Sequence, residues 1–447
     1  MNKAGRMPMD DELILADGVY APLEGLGHSL NDNVLIVGAS GSGKTWGIVT
    51  PNLLQASGSY IVSDPKGNLY DRYGDYLRQK GYRVRLLDFI RPERSCHYNP
   101  FHYIHTEEDI VTVAHAIIYA AGKGSGSSDP FWDEAAEILL SALIGYILKE
   151  MPESRQNFSE ICSLLELCRV EERCDTTELE LDALFHKYRR KHGSDDLAFR
   201  LYQQFRSAAG KTMQSIVVST FAALGTLITK EMQFLMNGDT LELERAGEEK
   251  TALFVSVSDV NRSRDVIANI FFTQAMQTLV YHADHRCRDC RLPVPVRFIL
   301  DDFATNVNIA EFPRMIASIR SREISAMLII QAESQLGAAY GEDGRTIISN
   351  CDTYVYLGSN DMETVRRVAF RADVPEADIL NMPAGTSWIF RRGEKAMRGR
   401  QFPTEEFIRQ KEEEAELEAE LEAETDSEPA AADRKRGAYV LGTNGRG

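Results

Sequence analysis

Short apolar runs recur along the chain, each bounded by polar residues or by Gly and Pro. They predict strands at Val34–Val37, Tyr60–Ser63, Val84–Leu87, Ala252–Val257, Val296–Leu300, Ala326–Ile330 and Thr353–Leu357. Helix-length segments separate them. Strands apolar at nearly every position are covered on both faces, so the alternation predicts an α/β core around a mainly parallel sheet. Between about Glu107 and Leu235 the texture changes to helix-period segments such as PFWDEAAEILLSALIGYILKEM and TMQSIVVSTFAALGTLI, with no strand pattern. The first has a strong start signal, Asp129 as N-cap with Pro130 at the first helical position, after the flexible stretch GKGSGSS at 122–128. This block reads as an all-helical insertion in the α/β core. A charged helix, EEFIRQKEEEAELEAELEAE, is expected from Glu405 onward, followed by a low-complexity tail expected to be disordered.

Length and charge refine this picture. A chain of 447 residues suggests two or three domains. No apolar run reaches the roughly 18 residues a membrane-spanning helix needs; the best candidate, Ile138 to Leu148, lies between Glu137 and Lys149 and reads as a buried helix. The N-terminus, MNKAGRMPMDDELI, has no apolar h-region, so no signal peptide is expected. Seven scattered cysteines form no disulfide framework and suit a reducing cytosol. The net charge of −17 is largely local, because ten acidic residues fall between Glu412 and Glu428 against Lys411 alone. Without that stretch the body is mildly acidic, so charge does not exclude a nucleic-acid partner. The acidic helix reads as a solubilising tail or as a recruitment arm for a basic partner.

The chemistry begins at Gly38-Ala39-Ser40-Gly41-Ser42-Gly43-Lys44-Thr45, a full G-x-x-x-x-G-K-[ST] between an apolar strand and a helix-compatible segment. The glycines let the backbone wrap phosphates, successive N–H groups form an anion nest, and the following helix N-terminus adds a favourable dipole. Gly38, Ser40, Gly41, Ser42 and Gly43 are therefore assigned to nucleotide binding. Lys44 is expected to neutralise β- and γ-phosphate charge, and Thr45 to bind Mg²⁺. A P-loop needs an acid on a neighbouring strand. Val296-Arg297-Phe298-Ile299-Leu300-Asp301-Asp302 supplies two, Asp301 for the magnesium sphere and Asp302 to polarise the attacking water. Gln331, directly after the strand Ala326–Ile330, is placed to sense the γ-phosphate. Arg320 and Arg322, just ahead of that strand, are candidate arginine fingers across a subunit boundary; the bland alternative is a solvated surface.

Two clusters remain. His282, His285, Cys287 and Cys290 have a zinc-like look, but only their C-x-x-C spacing is typical, and an ordinary exposed linker is the expected reading. Lys187, Arg189, Arg190 and Lys191 are the densest basic cluster, either a phosphate-contacting patch or a solvated helix end. The nearby Phe185, Tyr188, Phe199 and Tyr202 lie at helical spacing and are expected in the core.

Beyond its P-loop, the chain resembles the TraG/TraD-type coupling proteins of bacterial type IV secretion and conjugation. SDPKGNLYD (Ser63–Asp71) looks like the family's D-P-K-G segment, and LLDF…YNPF (Leu86–Phe101) like the stretch leading into its all-α domain. DPFWDEAAEILLSAL is similar to the helix that opens that domain, FILDDFATNVNI to its Walker B segment, IIQAESQLGAAYG to its glutamine motif and ISNCDTYVYLGSND to the strand that follows. The resemblance covers about residues 30 to 400 in the family order.

It implies a RecA-like nucleotide-binding domain in two parts, residues 1–104 and 236–404, an all-α domain at 105–235, and an acidic tail at 405–447. It also implies an ATPase using ATP and Mg²⁺, assembled as a homo-hexameric ring at the cytoplasmic face of the plasma membrane. Such a ring moves single-stranded DNA with its relaxase and accessory transfer proteins toward the type IV secretion channel. Members usually carry N-terminal transmembrane helices, and none is read here. Their second Walker B acid is most often Glu; Asp302 is one methylene shorter, and a base about 1 Å out of reach costs of order a hundredfold in rate, so slow turnover is expected. The alternatives are a double-stranded-DNA pump of the FtsK/HerA type and a nucleotide-dependent adaptor that hydrolyses little.

Overall fold

All seven strands read from the apolar runs are present, with ends within two residues of those expected. The computed structural model describes residues 7–9, 11–23, 30–122, 130–168, 179–258, 262–309 and 311–427. Two strands precede the P-loop as an antiparallel hairpin, β1 (Glu12–Ala16) and β2 (Val19–Pro22). The main sheet is built from β3 (Val34–Val37), β4 (Ser59–Ser63), β5 (Arg83–Asp88), β6 (Thr251–Ser256), β7 (Val296–Leu300), β8 (Ile324–Ile330), β9 (Thr353–Tyr356), β10 (Thr386–Arg391) and β11 (Met397–Arg400). Its order is β11-β10-β9-β3-β8-β7-β4-β6-β5. Pairing is parallel from β9 to β5, and β10 and β11 close one edge antiparallel.

Alternation along the strands sorts the core into two layers. Leu35 and Val37 face a cluster shared with the helical block, whereas Val34 and Ile36 face the β1–β2 hairpin and the helices Thr50–Leu54 and Asn68–Gln79. Among the described residues, no strand lies between Asp88 and Thr251. That interval holds helices Glu107–Gly122, Pro130–Glu150, Phe158–Glu166, Glu180–His192, Leu197–Arg206, Gly210–Leu224 and Lys230–Leu235. Ile138 to Leu148 falls inside the second of these, as a buried helix. Asp129 and most of the GKGSGSS stretch lie outside the described residues.

Helix Asp265–Arg286 is buried on nearly every side along much of its length and joins the helical block to the sheet, which is why it shows no polar stripe. It also corrects the reading of the His/Cys cluster. His282 and His285 are in its last turn, not in a linker; His282 is buried against Glu248 at 3.2 Å and His285 bonds the Tyr281 carbonyl. Among the described residues, no group of three His, Cys, Asp or Glu side chains is arranged to hold a metal. Phe185, Tyr188, Phe199 and Tyr202 are all core residues, with Phe185 and Tyr202 stacked at 3.8 Å. The charged helix runs from Thr404 to Ser427; the low-complexity tail beyond it lies outside the described residues. No helix among the described residues is long and apolar enough to cross a membrane.

Candidate nucleotide-binding site

The carboxyl ends of β3, β8 and β7 lie side by side, so residues separated by almost 300 positions meet over β8. This is where parallel α/β sheets leave a crevice for ligands. The loop after β3 is anchored first: Gly38 N–H donates to Ile330 O at 3.1 Å and Ala39 N–H to Gly358 O at 2.7 Å. Gly38 is required by space, since a Cβ there would lie 2.4 Å from Ser42 Oγ and 3.0 Å from Leu357 Cβ. Gly41 is required by conformation, at φ 79°. Lys44 is 9% exposed, and its ammonium donates to Gly38 O at 2.6 Å and Ala39 O at 3.0 Å, which holds it over the loop.

The helix after the loop opens with a π-helical segment, Thr45–Val49, in which Thr50 N–H reaches Thr45 O. Pro51 explains it. Proline has no N–H and its ring crowds the carbonyl four residues back, so the wider winding relieves the first turn. Buried Asn52 fixes this helix to β1, accepting from Ile14 N–H at 2.9 Å and donating to Ile14 O at 2.8 Å.

Thr45 Oγ1 donates to Asp301 Oδ2 at 2.9 Å, joining the P-loop to the end of β7. Asp301 Oδ1 accepts from Asp302 N–H at 3.0 Å, and Ser63 Oγ donates to Asp301 O at 3.3 Å. Asp302 adopts φ 51°, a left-handed conformation that aspartate tolerates better than most residues. Gln331 Nε2 approaches Asp302 Oδ1 at 3.5 Å. Lys44, Thr45, Asp301, Asp302 and Gln331 are thus brought together.

Electrostatics set the character of the site. Burial pushes the Lys44 pKa below its ordinary value, against the pull of Asp301 and Asp302. Burial, then the Asp302 charge, pushes the Asp301 carboxyl up, against Thr45, the Asp302 amide and Lys44. A half-buried carboxylate short of positive charge, beside a hydroxyl, is the donor set a hard divalent cation takes. Ser42 Oγ is buried with no protein hydrogen bond, a free polar atom inside the loop. The residues therefore fit a magnesium nucleotide.

Arg320 and Arg322 are not part of this grouping. They lie in the turn Ile319–Arg322 at the opposite end of the seven-residue β8, roughly 20 Å away along the strand. Arg322 makes a two-point ion pair with Asp284 at 2.8 and 2.7 Å. Arg320 lines a 650 Å³ cleft with Arg297, Lys250, Asp32 and Glu323. Lys187, Arg189, Arg190 and Lys191 are exposed on helix Glu180–His192, Lys191 paired with Glu150 at 2.9 Å and Arg189 over the Phe199 ring.

Some contributors escaped the sequence reading. Gln335 Oε1 accepts from Gln331 N–H at 2.7 Å while its Nε2 donates to Thr305 Oγ1 at 3.0 Å, fixing the Gln331 loop to the loop after Asp302. A Gln four residues beyond Gln331 is the only sequence signal for it. In the D-P-K-G segment, buried Asp64 caps helix Asn68–Gln79 through the N–H groups of Asn68, Leu69 and Tyr70, and Gly67 turns at φ 68°.

Known proteins resemble this chain in sequence and in fold. Residues 9–369 match the model of the family described as Type IV secretory system Conjugative DNA transfer. Protein VirD4 of Rhizobium radiobacter is 24% identical over 341 residues, 74% of this chain and 46% of that protein. A probable conjugal transfer protein TraG of Sinorhizobium fredii is 27% identical over 128 residues, 28% of this chain and 20% of that protein. The chain thus spans less than half the length of either curated relative. Among solved structures, plasmid coupling protein TrwB in complex with the non-hydrolysable ATP analogue ADPNP superposes with a TM-score of 0.65 at 14% identity, covering 89% of this chain and 90% of that one. TrwB in complex with ADP and Mg²⁺ gives the same TM-score, 0.65, at 14% identity, with 90% of each chain covered. At that identity the likeness shows the fold alone. The match over residues 9–369 shows the family: this chain belongs to the type IV secretory system conjugative DNA transfer proteins.

Proposed function

We propose that the chain is the motor portion of a conjugative coupling protein, an ATPase that drives relaxase-bound single-stranded DNA toward a type IV secretion channel. The observation that carries this reading is the 2.9 Å contact of Thr45 with Asp301, which brings the P-loop hydroxyl and a half-buried acid to one point. Bound there, Mg²⁺ would neutralise the phosphates and polarise the γ-phosphoryl group. Thr45 and Asp301 would hold the metal, the N–H groups of Ser40, Gly41, Gly43, Lys44 and Thr45 the phosphates, and Lys44 the β- and γ-phosphate charge. Asp302 accepts a proton from the attacking water, and Gln331 orients that water. Arg320 and Arg322 serve, in this reading, the site of a neighbouring subunit in a homo-hexamer, which suits their place at the far end of β8. Residues 1–104 and 236–404 act as one nucleotide-binding unit, with residues 105–235 as the substrate-facing helical unit. The exposed Lys187, Arg189, Arg190 and Lys191 offer the helical unit a phosphate-contacting face. At the cytoplasmic face of the membrane, the acidic helix from Thr404 suits a basic partner.

The test is steady-state ATP hydrolysis with and without single-stranded DNA, alongside Lys44→Ala. Turnover stimulated by single more than by double strands, and lost in Lys44→Ala, is the expected result. Wild-type turnover persisting in Lys44→Ala would sink the proposed site. Nucleotide binding without turnover under any DNA condition points instead to an adaptor.

A further inference from the structure

Gln401 is more than 350 residues from the P-loop in sequence, yet its side chain lies on it. A Cβ built at Gly43 would sit 3.2 Å from Gln401 Nε2, and one at Gly47 would sit 2.9 Å from its Cγ and 3.2 Å from its Nε2. Gly43 and Gly47 are four residues apart on one face of the first turn, with Gly47 N–H donating to Gly43 O at 2.7 Å. The glutamine therefore runs along the start of the P-loop helix. Gln401 is exposed, and no group among the described residues hydrogen-bonds its side-chain amide.

Its backbone, by contrast, is held firmly. Gln401 N–H donates to Gly385 O at 2.8 Å, and buried Phe402 packs edge-on to Tyr20 and Phe407 at 6.4 and 5.3 Å. Thr404 Oγ1 donates at 2.9 Å to the carbonyl of Trp46, the residue directly after Thr45. Residues 400–407 thus form a strap from β11 across the P-loop helix into helix Thr404–Ser427. The loop N–H groups take the phosphates. Beyond its phosphates a nucleotide carries a sugar, whose hydroxyls match an amide with both donor and acceptor.

We propose that Gln401 hydrogen-bonds the sugar of the bound nucleotide, and that the strap thereby makes docking of the C-terminal helix depend on nucleotide occupancy. This rests on the P-loop reading above. The test is calorimetric titration of the full chain with ADP and with inorganic triphosphate, each with Mg²⁺, in wild type and Gln401→Ala. Hydrogen exchange of residues 404–415 with and without ADP accompanies it.

Gln401→Ala is expected to weaken ADP about tenfold, the worth of one good hydrogen bond, and to leave triphosphate unchanged. ADP should slow exchange at 404–415 in wild type and not in the variant. Unchanged ADP affinity in Gln401→Ala, or equal weakening of ADP and triphosphate, overturns the sugar contact. Exchange indifferent to ADP in wild type overturns the coupling. Wild type that binds neither ligand refutes the P-loop reading itself, a result distinct from wild type binding both and Gln401→Ala matching it.

Discussion

Asp301→Asn removes one charge and keeps the shape of the side chain, and the site predicts an inversion of stabilities. Burial and Asp302 raise the Asp301 pKa more than Thr45, the Asp302 amide and Lys44 lower it. The folded protein thus binds this proton more tightly than the unfolded chain does. That contribution to stability is complete below the unfolded pKa and is lost as pH rises through the folded value. Near pH 7.5 the ionised carboxylate therefore subtracts stability. Asparagine carries no such penalty. Its oxygen still accepts from Asp302 N–H, and its NH₂ replaces the acceptor that Thr45 now meets with a donor. Without nucleotide, the variant is therefore expected to have the higher unfolding midpoint. At roughly 2.1 cal/mol/K of unfolding entropy per residue, each 1 kcal/mol of difference moves the midpoint of a chain of this size by about 1 °C. Mg²⁺ and ADP at about a hundred times Kd should add about 2.7 kcal/mol to wild type and much less to a variant without the metal's carboxylate. The order of midpoints then reverses when Mg²⁺ and ADP are added. Scanning calorimetry at pH 7.5 and pH 5 reads this directly, and the nucleotide-free gap should narrow at the lower pH. An Asn variant less stable than wild type without nucleotide refutes the electrostatic argument. One that gains as much from Mg²⁺ and ADP refutes the metal role.

Other perturbations probe separate links. If Arg320 completes a neighbour's site, Arg320→Ala and Lys44→Ala should each lack ATP turnover while a mixture regains part of it; a mixture as inactive as its components refutes action in trans. Glu333, 5% exposed, accepts from Tyr354 Oη at 2.8 Å and pairs with Arg367 at 2.6 Å. Glu333→Ala should cost about 3 kcal/mol in urea unfolding, whereas exposed Glu363→Ala should cost under about 0.5 kcal/mol. Asp302→Glu is expected to preserve or raise turnover, because one more methylene closes part of the 3.5 Å gap to Gln331; lost activity would show a site shaped around the shorter acid. Charge reversal at Lys187 and Arg190 should weaken single-stranded DNA binding and flatten its salt dependence, and an unchanged salt slope would mark that cluster as a solvated helix end.

What the sequence disclosed follows from how local each feature is. The P-loop is eight consecutive residues with a strand before it, so it was legible in full, and the buried strands β3 to β9 announced themselves as apolar runs. The hairpin β1–β2 went unread although Asp17-Gly18 at its turn is a strong hairpin signal. β11 was missed for a better reason: as Met-Arg-Gly-Arg on a sheet edge it is polar and half-exposed, so it carries no apolar pattern. His282 was assigned to a linker because helix Asp265–Arg286, covered nearly all round, lacks the polar stripe that reveals most helices. Gln401 on Gly43 and Gly47 was beyond any local pattern, since the contact exists only once β10 and β11 return the chain to the P-loop.

The two flanks of the site are tied to different parts of the molecule. On the Asp302 side, Gln335 joins the Gln331 loop to Thr305, and the same loop continues to Ile309, whose N–H donates to Tyr340 Oη, and to Asn308, whose N–H donates to Asn269 of helix Asp265–Arg286. That helix packs on Glu107–Gly122, the first helix of the all-α block. A displacement of the 302–309 loop would be passed to these partners, because close-packed interiors transmit strain rather than compress. Movement at the γ-phosphate end is therefore directed into the helical block, whereas the opposite flank is covered by the strap to the C-terminal helix. In the proposed motor, the phosphate that appears and disappears with hydrolysis acts on the substrate-facing helices, and the part of the nucleotide present throughout the cycle acts on the tail. Such wiring would let hydrolysis act on the substrate-facing helices while the C-terminal arm stays docked for as long as a nucleotide occupies the proposed site.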